Sequence, residues 1–192
     1  MKKALYLITI LFLLSSCFGG RTKRSNFYNI VSIENNDIKI TSKTSPIIGV
    51  ELVSIPGYLD RPEIITIKGN DTELEISDFN RWAEPLSNSI QRVISNNLSI
   101  YMKNATIRPM NLYRRTFDYT VVIYIIKFEG KFNDKVYLDS WYSVYNRNSV
   151  NVINERVKFD TELGNTYEDL VEKQSILVSK LSEAIAKKLA RL

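Results

Sequence analysis

Few residues of this chain are equipped for chemistry. Among 192 residues there is no histidine and one cysteine, Cys17. Without imidazole, Ser-His-Asp and Cys-His nucleophile arrangements are excluded. Zinc sites that need histidine are excluded as well, and one thiol completes neither a thiolate metal site nor an intramolecular disulfide. Any catalysis would fall to carboxylates, Lys, Tyr or Ser. The best-placed carboxylates are Asp60, Glu63 and Glu84, in Asp60-Arg61-Pro62-Glu63 and Arg81-Trp82-Ala83-Glu84-Pro85. A glycosidase would need two of them facing one another across a cleft. Each instead sits beside Arg or Pro in a way that suits ion pairing, so the expectation is a protein that is not an enzyme and carries no metal.

The single cysteine has a different role written around it. Met1-Lys2-Lys3 is followed by an apolar run from Ala4 to Leu14, then Ser15, Ser16 and Cys17. A basic start, a short apolar stretch and small residues before a boundary form a secretory signal. The run is too short to cross a bilayer, which takes about 20 residues. Leu13-Leu14-Ser15-Ser16-Cys17 resembles the bacterial lipobox, which implies a signal peptide over 1–16 and a covalent diacylglycerol and N-acyl chain on Cys17. Two or three acyl chains, at about 0.8 kcal/mol per buried CH₂, anchor stably where one does not. Phe18-Gly19 in place of an Asp after the cysteine favours export to the outer membrane, inner leaflet. Residues 17–26 then read as the lipidated Cys and a flexible tether. Its Arg21, Lys23 and Arg24 either touch anionic headgroups or simply stay solvated.

The elements that must carry any site follow from periodicity. Phe27–Ile33 and Ile38–Ile40 read as short strands about a polar turn, and Ile47–Ile55 as a strand closed by Pro56-Gly57. Ile64–Lys68 and Glu73–Ile76 form a hairpin about Gly69-Asn70-Asp71. Ser77–Asn80 offers helix-start residues, with Pro85 suited to a first turn. Trp82, Leu86, Ile90, Val93, Ile94 and Leu98 then fall on one helical face. Tyr119–Phe128 is almost wholly apolar, as in a strand buried on both faces. Val136–Tyr145 and Val150–Phe159 continue it as a meander. Tyr167–Leu192 is the longest helix, with acidic residues first and basic residues last, matching the helix dipole. The expected fold is α+β: one domain over 27–192, a mainly antiparallel or mixed β-sheet with two main helices, about 84–101 and 167–191, packed on it.

Two clusters exceed what periodicity explains. One is Ile55-Pro56-Gly57-Tyr58-Leu59-Asp60-Arg61-Pro62-Glu63; the other is Arg81-Trp82-Ala83-Glu84-Pro85-Leu86, and the candidate residues in them are Pro56, Tyr58, Leu59, Asp60, Arg61, Pro62, Arg81, Trp82, Glu84 and Pro85. Each joins backbone-fixing prolines to an aromatic and an Arg beside a carboxylate. Asp60 and Glu84 are the expected partners of Arg61 and Arg81. Such clusters serve either as rigid corners locking the hairpin to the first helix or as a partner-facing surface, since interfaces concentrate Trp, Tyr and Arg.

The segment Leu59-Asp60-Arg61-Pro62-Glu63-Ile64 followed by Arg81-Trp82-Ala83-Glu84-Pro85-Leu86 is similar to the paraquat-inducible PqiC family, also described as the auxiliary lipoprotein component of ABC-type transport. The resemblance extends from the lipobox to the terminal helix. It implies a non-catalytic outer-membrane lipoprotein, facing the periplasm, in an MCE-type intermembrane lipid transport system. Its expected partner is an MCE-domain, PqiB-like periplasmic tunnel protein, which it docks at the outer membrane in support of membrane integrity. Homo-oligomerisation is a further expectation. The alternative is a stand-alone structural or adhesive envelope lipoprotein. The net charge of +5 includes Lys2 and Lys3 of the signal, and the remaining excess is too small and too scattered to imply a nucleic-acid partner.

Overall fold

A computed structural model of the chain describes residues 23–32, 39–70, 72–110 and 116–192. The expected signal peptide over 1–16 and Cys17 lie outside them, as do Ile33–Ile38 and Asp71. Among the described residues, eight strands and two helices form a mixed-sheet α+β domain, ordered β1 (Asn26–Tyr28), β2 (Ile47–Val50), β3 (Glu63–Lys68), β4 (Glu73–Trp82), α1 (Leu86–Tyr101), β5 (Thr106–Pro109), β6 (Tyr119–Lys127), β7 (Lys135–Asn146), β8 (Asn151–Glu162) and α2 (Tyr167–Leu189). The strands make a three-stranded sheet, β1-β4-β3, and a five-stranded sheet, β5-β2-β6-β7-β8. Pairing is parallel for β1–β4, β2–β5 and β2–β6, and antiparallel elsewhere. The sheets meet where Gly130 bridges Thr66 on one side and Val136 on the other.

Both helices cover one face of the five-stranded sheet. Ile90, Val93, Ile94 and Leu98 of α1 and Leu177, Leu181 and Ile185 of α2 are fully buried there, together with Val121, Ile123, Ile125, Leu138 and Val144 of the strands. Burying one such side chain contributes roughly 1.5–3 kcal/mol, so this layer supplies most of the drive to fold. Polar residues inside it are tied to backbone carbonyls, Gln91 to Val50 at 2.9 Å and Gln174 to Phe128 at 2.6 Å. Asn97 and Tyr101 of α1 reach Ser182 and Ser179 of α2. At the start of α2, Thr166 Oγ1 accepts from the Asp169 N–H while Asp169 accepts from the Gly164 N–H. The first bond satisfies an otherwise orphaned donor of the helix start, and the second fixes the loop that enters it.

Several expectations are corrected. Residues 77–80 do not start a helix; they belong to β4, where Asn80 and Arg81 pair with β1 and Arg81 with Glu63 of β3. The Ser and Asn types that suit a helix start here sit inside a strand held on either side of them, Ile76 opposite Ile65 and Arg81 opposite both Phe27 and Glu63, while Ser77 Oγ accepts from the Asn80 N–H at 3.0 Å. The helix begins only after Pro85, which lacks an N–H and whose carbonyl accepts from Asn88 and Ser89. β6 is buried on one face, not two: Val121, Ile123 and Ile125 point to the helices while Tyr124 is 49% exposed. The first strand ends at Tyr28. Ile40 lies outside any strand and donates its N–H to the Tyr101 carbonyl. β2 ends at Val50; beyond it the chain still tracks β6 through Glu51 and Ser54. The four-residue β5 had no sequence signal at all.

Candidate functional site

The groove is built where the loop before β3 meets the end of β4. Leu59 donates to the Pro56 carbonyl and Arg61 to that of Leu59, both at 2.9 Å, folding 56–61 into a tight double turn. Leu59 is buried, 4% exposed, and pins this turn to the core. Tyr58 holds it from the other side, its hydroxyl donating to both carboxylate oxygens of buried Glu129 at 3.2 Å. Burial first, then the Glu129 charge and hydrogen bond, push the Tyr58 phenol well above its ordinary range. At the end of β4, the Trp82 N–H donates to the Pro62 carbonyl at 2.7 Å and the Ala83 N–H to that of Tyr28 at 2.9 Å. The two clusters therefore face each other by main-chain bonding.

Between them lies an open groove of about 290 Å³, walled by Asp60, Arg61 and Pro62 on one side and Trp82, Ala83, Glu84 and Pro85 on the other. Pro56, Tyr58, Leu59 and Arg81 support it without lining it. The ion pairing differs from expectation. Arg61 and Arg81 share one carboxylate, Glu63, at 3.0 and 3.3 Å. Glu84 is taken by Arg92 of α1 at 2.6 Å, which fastens the groove wall to the helix. Asp60 is exposed and makes no ion pair among the described residues. The reason is register: Glu63 and Arg81 are direct cross-strand neighbours, so their side chains share a face.

The hydrogen bond from Arg61, then the Glu63 backbone N–H and the two guanidinium charges, hold the Glu63 carboxyl below its usual range. A depressed folded pKa gives stability that is present above the unfolded pKa, about 4.3 for Glu, and is lost as pH falls through the folded value. Wild-type urea midpoints should therefore fall on acidification below about pH 4.3, and Glu63→Gln should flatten that fall. An unaltered acid profile in the variant would show that the Arg61–Glu63–Arg81 cluster adds nothing.

The parallel strand β1 ties this site to the N-terminus. Phe27 pairs with Arg81 and Tyr28 with Trp82, and Lys23 Nζ lies 4.9 Å from the Phe79 ring centroid. The Tyr28 hydroxyl donates to Glu168 at the start of α2 at 2.8 Å. Burial, then Glu168, push its pKa up to about 12. Arg92 and Glu129 are not among the residues expected to make up the site, and Glu63, which belongs to the first cluster, takes the partner role expected of Asp60 and Glu84. Only the Glu63–Arg81 pair left a trace in the sequence, as a carboxylate beside the turn and an Arg at the end of the next strand.

Among the described residues, no group of three or more Cys, Asp or Glu side chains is placed to hold a metal ion, and no helix is long and apolar enough to cross a membrane. A mixed-sheet domain with a rigid, ion-paired groove fits an accessory binding protein. The sequence model of the ABC-type transport auxiliary lipoprotein component matches residues 28–186, and the chain belongs to that family. Membership makes it a non-catalytic, extracytoplasmic lipoprotein component of transport.

Among its relatives, the chain is similar to the intermembrane transport lipoprotein PqiC of Escherichia coli (strain K12). The two are 26% identical over 138 residues, which cover 71% of this chain and 70% of that protein. The same match is found with PqiC of Shigella flexneri. Two crystal structures share the fold. One is of an uncharacterized protein, with TM-score 0.74 and 16% identity, covering 87% of this chain and 99% of that one. The other is of a Xanthomonas campestris protein, with TM-score 0.69 and 12% identity, covering 86% and 95%.

Proposed function

We propose that this chain is anchored through acylated Cys17 in the inner leaflet of the outer membrane, and that the groove between Asp60–Pro62 and Trp82–Pro85 docks an MCE-domain tunnel protein in the periplasm. The observation that carries this reading is the β1–β4 pairing. It fastens the end of the tether to the residues that wall the groove. The nine steps from Cys17 to Asn26 span at most about 30 Å when extended. The groove is thereby confined to a layer next to the membrane, where the distal end of a tunnel would arrive. The Escherichia coli relative named as an intermembrane transport lipoprotein supports the same direction. Rigid backbone, a buried Trp and an exposed unpaired Asp60 also give the groove the anchor-and-rim character of an interface.

The test is affinity purification of the intact lipoprotein from membranes. The wild type should recover an MCE-domain protein. Asp60→Arg should lose it while the unfolding free energy stays within about 0.5 kcal/mol of wild type, as for surface changes generally. Cys17→Ser should abolish incorporation of labelled fatty acid into the chain. Unchanged incorporation would sink the anchor assignment. If no envelope partner is recovered while other lipoprotein complexes survive, the chain is a stand-alone structural or adhesive lipoprotein.

A further inference from the structure

The backbone around the groove has little left to offer an incoming chain. The N–H groups of Arg61, Trp82 and Ala83 are already bonded to the carbonyls of Leu59, Pro62 and Tyr28. Pro62 and Pro85 have no N–H. Their carbonyls are taken as well, that of Pro62 by Trp82 and that of Pro85 by Asn88 and Ser89. An added strand is held by a row of open main-chain groups, and this groove has no such row. A docked helix needs anchors spread over two turns. A space of about 290 Å³, at the small end of ligand pockets, takes a few side chains instead.

What the groove does present is apolar surface and one uncommitted charge. Trp82 lies between two walls whose Pro62 and Pro85 are exposed. Arg61 is held by Glu63, and Glu84 by Arg92. Asp60 alone is exposed and makes no ion pair among the described residues. It stands on one wall only, so the groove is apolar along its length and negative on one side.

We propose that the groove binds a proline-rich segment in the polyproline II conformation, with an Arg or Lys at one end of the proline run to meet Asp60. Such a segment has three residues per turn and no internal hydrogen bonds. Its prolines have no N–H to leave unsatisfied, so it requires nothing of the main chain that this groove lacks. Aromatic-lined grooves recognise that conformation through ring packing, here against Trp82 between Pro62 and Pro85. Because proline fixes φ beforehand, little chain entropy is lost on docking. The cation at Asp60 then sets the direction in which the segment lies. The inference deepens the docking reading above and rests on it for the source of the segment, an exposed stretch of the periplasmic partner.

Trp141→Phe leaves Trp82 as the only tryptophan, so its emission reports on the groove in the full chain in detergent. The probe is the blocked peptide Arg-Pro-Pro-Leu-Pro-Pro, which has no aromatic residue, titrated at low salt. The emission should change saturably. Binding should weaken by about threefold or more when Glu replaces the peptide Arg, and by about tenfold when Ala replaces its prolines. Asp60→Arg, checked for folding by far-UV circular dichroism, should reverse the first preference and favour the Glu peptide. A merely structural role for Asp60 would weaken both peptides alike. No saturable change up to about 1 mM peptide, equal binding of the Arg and Glu peptides, equal binding of the Ala peptide, or an Asp60→Arg chain that still favours the Arg peptide would each overturn the proposal. The docking reading fails separately. Peptide selectivity with no MCE-domain protein recovered removes that partner and keeps the mode of recognition. A recovered partner without peptide binding keeps docking and removes the polyproline mode.

Discussion

Trp82→Ala is expected to lower the unfolding free energy by about 3–5 kcal/mol, the range for truncating a large aromatic in a core. For an m-value of about 2 kcal/mol/M, the urea midpoint would fall by roughly 2 M. Trp82 is 6% exposed and part of the continuous core cluster, although it also lines the groove. Its backbone N–H is the bond that holds the loop before β3 against the end of β4. Removing the indole opens the groove floor into the core, and water entering there meets Leu59 and Leu86, both buried. The protein has two tryptophans, and the other, Trp141, is 39% exposed. Unfolding of the variant is therefore best followed by circular dichroism. A loss below about 1 kcal/mol would place the ring in the groove wall rather than in the core. The consequence for function is direct. Lost docking in Trp82→Ala reports on folding, whereas lost docking in Asp60→Arg reports on the surface.

The parts of the fold that were legible in the sequence are those whose signal is long and local. The meander β6-β7-β8 and the helix α2 stand close to their expected limits, because each carries ten or so residues of one period. Boundaries failed where a distant strand decided the outcome. Ser77, Asp78 and Asn80 have the types of a helix start, yet β1 pairs with Asn80–Trp82 from the N-terminal end of the domain. A period read along the chain cannot register a partner so far away. The site shows the same division. The two Pro-Arg-aromatic clusters were visible as unusual composition, and the structure brings Asp60–Pro62 and Trp82–Pro85 together around one groove. The ion pairs differ from those expected because they depend on register. A shift between Glu63 and Ile65 in the β3–β4 pairing places Glu63, rather than Asp60 or Glu84, opposite Arg81. Glu129 could not have been found, since it serves Tyr58 only through the junction of the two sheets.

That junction carries the other large effect. Gly130→Ala is expected to destabilise the fold by about 1–3 kcal/mol, as overpacking of a filled core does. A β-carbon there would lie 2.6 Å from Leu163 Cδ2 and 2.6 Å from Leu170 Cδ1, both in side chains with at most 4% exposure. The backbone cannot retreat. The Gly130 carbonyl accepts from the Ile67 N–H at 2.8 Å, and its neighbours Glu129 and Lys131 bond to Tyr137 and Lys135. The leucines must yield instead, and they sit where the end of β8 and the first turn of α2 close over the seam. Leu170→Ala alone should cost about 2–5 kcal/mol, but it also vacates the space that the new methyl needs. The double variant is therefore expected to lose less than the sum of the single losses, a coupling that urea unfolding of all four proteins measures. Strict additivity would show that strain at Gly130 is relieved by backbone movement. The seam would then be pliable, and the orientation of the groove relative to the five-stranded sheet would not be set there. A coupled result makes Gly130 the fixed point between the sheet that walls the groove and the sheet whose free edge is β8.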